Sequence, residues 1–88
     1  MVDFRARRWH QRELAERLCQ LLYGNSEVWW DDRSQKWQLG TANNFWLHIL
    51  GEDTYRLSCR YGTTEQRKAL AVVVQWCLGV ELLNGPVV

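Results

Sequence analysis

Between Val28 and Tyr61 apolar and polar residues alternate with a period of two, interrupted only by short runs of turn-forming residues. Successive side chains on a strand point to opposite faces, so this pattern commits each segment to one buried face and excludes a helix there. Val28 and Trp30 alternate with Glu27, Trp29 and Asp31, while Trp37 and Leu39 alternate with Lys36 and Gln38. The polar Asp32-Arg33-Ser34-Gln35 between them reads as a hairpin loop, and its even length pairs Trp30 with Trp37 and Val28 with Leu39. After a turn at Gly40 to Asn44, the next apolar set is Phe45, Leu47 and Ile49, and the last is Tyr55, Leu57, Cys59 and Tyr61. An even loop at Gly51-Glu52-Asp53 would put Trp46, His48 and Leu50 beside Tyr55, Leu57 and Cys59. An odd, bulged loop joins the two apolar sets instead and leaves Arg56 and Arg60 on the other face, away from apolar neighbours. The odd loop is the reading adopted.

Helices are expected on either side of this block. Residues 4–23 carry Leu14, Ala15, Leu18, Leu21 and Leu22 at spacings of three and four, with Glu13 and Arg17 paired at i,i+4 and a stop at Gly24-Asn25-Ser26. Arg5, Arg7, Arg8 and Arg12 oppose the helix dipole. Either the regular helix begins near Trp9 or these arginines serve something outside the domain, so residues 1–8 are read as a basic arm. A second helix opens at Gly62-Thr63-Thr64, where Thr63 and Gln66 fit a capping box, and runs to about Leu78 before Gly79. Its Ala69 to Val74 stretch is apolar almost all round, which predicts a sandwiched helix, and residues 80–88 form an apolar tail. The expectation is one α+β domain over residues 1–88. It is a two-layer sandwich of helix, four antiparallel strands and helix (αββββα), both helices on one face of the sheet. Trp30, Trp37 and Trp76 are assigned to its core. Trp29, Trp46, His48, Arg56 and Arg60 are placed on the open face.

Composition narrows the function classes. Lys and Arg number 11 against 10 Asp and Glu, a formal charge of +1, which excludes a polyanion binder that works by net charge alone. Three widely spaced cysteines with no CxxC pair point to reduced thiols and a cytoplasmic protein. The longest apolar run is far shorter than the ~20 residues that span a bilayer, and the arm offers too little apolar area to rest on a membrane. His10 and His48 lie on different elements, outside any metal-spaced group, and no GxSxG, Walker or GxGxxG motif is present. A Cys59–His48 pair would need both on one face, which the odd loop forbids. Asp31-Asp32 and Glu52-Asp53 suit the turns they occupy. No catalysis, cofactor or metal is expected.

What remains unexplained is the aromatic content. Six tryptophans stand in 88 residues, and each aromatic buries about 150–250 Å², more than so small a body hides easily. Trp, Tyr and Arg are also the residue types that dominate binding hot spots. The sequence therefore points to a non-catalytic adaptor, inhibitor or assembly factor that binds another protein. Trp29, Trp46, His48, Arg56 and Arg60 form its main contact, with Arg5, Arg8 and Trp9 on the arm as a secondary one. The tail and last helix suggest a homodimer. The alternative is an RNA or single-strand nucleic-acid module that uses the same face. The order helix–strands–helix resembles the double-stranded-RNA-binding domain, whose second helix opens on a lysine cluster. The matching stretch here is Thr64-Glu65-Gln66-Arg67-Lys68, and this chain has an extra strand.

Overall fold

A computed structural model describes residues 1–77 and 80–83. The elements are β1 (Val2–Ala6), α1 (Gln11–Tyr23), β2 (Val28–Asp31), β3 (Lys36–Leu39), β4 (Phe45–Ile49), β5 (Thr54–Cys59), α2 (Thr64–Gln75) and β6 (Val80–Leu82). All six strands join one antiparallel sheet in the order β2-β3-β4-β5-β1-β6.

The α+β class stands, but the expected count of four strands does not. The segment read as a basic arm and helix start is a strand inside the sheet, between β5 and β6. Its five residues, Val-Asp-Phe-Arg-Ala, themselves alternate: Val2, Phe4 and Ala6 are buried while Asp3 and Arg5 face outward. The helix then begins at Gln11, which takes Arg5, Arg7 and Arg8 out of it and leaves only Arg12 in its first turn. The front of the expected tail is the short strand β6, held to β1 through Phe4↔Leu82 and Arg5↔Glu81. The predicted stop at Gly79 and the tail from Asn84 onward lie outside the described residues. With a strand before α1 and another after α2, the chain departs from the helix–strands–helix order of the double-stranded-RNA-binding domain.

This topology accounts for both helices sharing a side. Counting through the antiparallel neighbours, β1 runs parallel to β2, and β5 runs parallel to β6. Parallel strands need a crossover, which α1 and α2 supply. The two crossovers leave oppositely directed strands and travel in opposite directions across the sheet, so crossovers of one hand put both helices on one face. Leu14, Ala15, Leu18 and Cys19 of α1 and Leu70, Val73 and Val74 of α2 accordingly join one cluster with Phe4, Trp37, Leu39, Phe45, Leu47, Tyr55 and Leu57.

Register follows the sequence closely in the central strands. Val28↔Leu39 and Trp30↔Trp37 are paired as the even loop requires. Phe45↔Cys59, Leu47↔Leu57 and Ile49↔Tyr55 are paired as the odd loop requires. Leu50 N–H donates to the Thr54 carbonyl across the three-residue turn. Gly24, in the left-handed region at φ 75°, ends α1 by donating to the Gln20 carbonyl at 2.8 Å. At the start of α2, Thr63 Oγ1 accepts from Gln66 N–H at 3.1 Å. The Gln66 side chain reaches past the cap to accept from Tyr61 N–H and Gly62 N–H, each at 3.1 Å.

Three packing expectations are corrected. Helix α2 is not sandwiched: Leu70, Val73 and Val74 are buried but Val72 on the far side is 50% exposed. Trp76 is 67% exposed rather than core, at the C-terminal cap of α2. Trp30 is 37% exposed, because β2 is an edge strand; its ring packs on Trp37 at 5.2 Å between centroids. Trp37 is buried as expected, and its Nε1 donates to Gln11 Oε1 at 3.1 Å.

Candidate functional site: the uncovered sheet face

Both helices occupy one face, so the residues of opposite parity form a face that no described element covers. Cross-strand pairing arranges them in rows. One row runs Trp29, Gln38, Trp46, Ser58, and the next runs Asp31, Lys36, His48, Arg56, Asp3. A third holds Thr54, Arg5 and Glu81.

The side chains in these rows hold one another. Arg56 donates from Nε to Asp3 Oδ1 at 2.7 Å and from Nη2 to Asp3 Oδ2 at 2.9 Å, a two-pronged ion pair across adjacent strands. This bond lowers the Asp3 pKa below 3.8 and raises that of Arg56. Lys36 Nζ lies 5.0 Å from the Trp46 ring centroid, a cation–π contact. Trp46 Nε1 donates to Asn43 Oδ1 at 3.1 Å, which fixes the indole from its other side. His48 Nε2 and Ser58 Oγ share a 2.7 Å hydrogen bond. Burial, followed by the charges of Lys36 and Arg56, pushes the His48 pKa below its ordinary 6.5. Arg5 stands 3.7 Å from both Asp53 and Glu81.

Of the residues expected here, Trp29, Trp46, His48 and Arg56 do share the face. Trp29 lies on the row of Trp46 two strands away, roughly 10 Å by ordinary strand spacing, and is 47% exposed. Arg60 follows β5, exposed, with its guanidinium 5.4 Å from the Tyr61 ring centroid and its N–H donating to the Asn44 carbonyl. The secondary group is dispersed. Arg5 is a sheet residue in ion pairs, Arg8 is exposed in the turn before α1, and Trp9 packs against the core. Trp9, with His10, Gln11, Glu52 and Tyr55, borders a separate shallow cleft at the start of α1.

Sequence reasoning missed Asp3 and Lys36. Asp3 pairs with Arg56 across 53 positions of sequence, and only the alternation within Val2–Ala6 could have placed it opposite. Among the described residues no group of three or more His, Cys, Asp or Glu gathers as metal ligands, and no helix is long and apolar enough to cross a membrane.

The arrangement favours contact with a shaped, mixed apolar and polar surface. Trp46, His48, Arg56 and Arg5 are already held by neighbours, so these side chains have little rotamer freedom left to lose on binding. Its guanidinium groups at Arg5 and Arg56 are already matched by carboxylates, which leaves less unpaired positive charge for phosphates. No family model, curated protein or solved structure matches this chain.

Proposed function

We propose that this protein is a small non-catalytic binding module, an adaptor, inhibitor or assembly factor of the cytoplasm, that docks another protein on the uncovered sheet face. The observation that carries this reading is the placement of Trp29 and Trp46 on a face no described element covers, with Lys36, His48 and Arg56 beside them. Trp and Arg are among the residue types that most often dominate a binding hot spot.

The test is capture of partners from native lysate, with and without nuclease, by the wild-type chain and by Trp29→Ala combined with Trp46→Ala. A partner should survive nuclease and be lost from the double variant. Each anchor is worth about 2–4 kcal/mol of binding when cut to Ala. Bound material that is nuclease-sensitive and elutes at moderate salt would assign the face to nucleic acid instead. Undiminished capture by the double variant would remove the face from the interaction.

A further inference from the structure

We propose that the cleft between α1 and α2, on the opposite side of the molecule from the sheet face, is a second docking site. Its occupant is an amphipathic helix of a partner protein whose apolar stripe is flanked by acidic residues. Leu21 of α1 and Val72, Val73 and Trp76 at the end of α2 line a cleft of about 260 Å³. Val72 and Trp76 stand at i,i+4 and project from α2 on the side the core does not use.

The conformation of the occupant follows from what the cleft lacks. Val72 and Val73 lie in the last turn of α2, where the Val72 carbonyl is bonded to Trp76 N–H at 3.1 Å and the Val74 carbonyl to Cys77 N–H at 3.2 Å. The last turn of a helix offers at most isolated carbonyls and no ladder of alternating donors and acceptors, so an extended segment buried here would leave most of its backbone groups unpaired. A helix arrives with those bonds already made and needs only apolar side chains at i, i+3 and i+4 to fill the cleft.

The charge of the occupant follows from the rim. Arg17 stands one turn before Leu21, and Lys68 one turn before Val72; both are exposed. Neither is in an ion pair among the described residues, so the Glu13–Arg17 pair expected from the i,i+4 spacing does not form. No Asp or Glu stands three or four positions from Leu21, Val72, Val73 or Trp76. A second copy of this chain fits less well, because a two-fold contact sets this basic rim against itself.

The test uses the full chain and two fluorescein-labelled synthetic peptides of about five helical turns. One carries a leucine stripe flanked by glutamates, and the other has lysines in place of the glutamates. By fluorescence anisotropy the acidic peptide should bind at least tenfold more tightly than the basic one. Trp76→Ala should weaken it at least tenfold, with circular dichroism confirming that the variant is folded. Arg17→Glu combined with Lys68→Glu should invert the preference, and Trp29→Ala with Trp46→Ala should leave it unchanged, which separates this site from the sheet face. Equal binding of both peptides, or no effect of Trp76→Ala, would overturn the proposal. So would a dimer that sedimentation shows to depend on Trp76, or acidic-peptide binding that appears only after residues 84–88 are deleted.

Discussion

Gly40 illustrates how much one residue carries where α1 meets the sheet. Its backbone sits at φ 78°, and a Cβ there would lie 2.9 Å from Cδ2 of Tyr23, the last residue of α1. Both the left-handed conformation and the ring contact require glycine. Gly40→Ala should therefore destabilise the fold by about 2–5 kcal/mol, the sum of left-handed strain and overpacking. Gly24 provides the control: φ is 75°, but nothing lies within 4 Å of its would-be Cβ. Gly24→Ala should show the strain alone, about 1–2 kcal/mol. Urea unfolding of the two variants measures the difference, and equal losses would mean that the Tyr23 contact contributes nothing.

At the scale of elements, the cross-strand row Lys36, His48, Arg56, Asp3 ties β3, β4, β5 and β1 together and gives the sheet a pH dependence. His48 is held neutral by burial and then by Lys36 and Arg56, with Asp3 as the opposing influence, so its folded pKa lies below 6.5. In the unfolded chain the imidazole protonates first as pH falls. Stability is thus greatest above pH 6.5 and is lost as pH falls from there toward the lower folded value. His48→Gln, which keeps a polar partner for Ser58, should flatten the unfolding free energy across that interval; an unchanged slope would exclude His48 as its source. The same row shows what was legible in the sequence and what was not. Strands β2 to β5 and their registers were readable, because alternation and loop parity are local and fix which face each residue takes. Strand β1 was hidden because Arg5, Arg7 and Arg8 run straight into a helix-periodic segment, and its β5 partners lie 49 to 55 positions away. Trp76 was misplaced for another reason. An all-round apolar helix reads as buried, and sequence periodicity does not reveal that only one layer lies beneath it.

For the molecule as a whole, the central claim is a division of labour among its aromatic residues. Trp37, Phe4, Phe45 and Tyr55 build one core between the sheet and two helices, while Trp29 and Trp76 stand outside it, exposed, and are the rings proposed above to serve recognition. A domain this small has only a modest reserve of stability, so the two roles separate clearly in unfolding experiments. The most direct measurement is the unfolding free energy, by urea titration, of Trp29→Ala, Trp76→Ala and Trp37→Ala. The first two should each lose less than about 1 kcal/mol, whereas Trp37→Ala should lose about 3–5 kcal/mol or fail to fold. Losses at Trp29 or Trp76 as large as that at Trp37 would place those rings in the stabilising core and contradict the account.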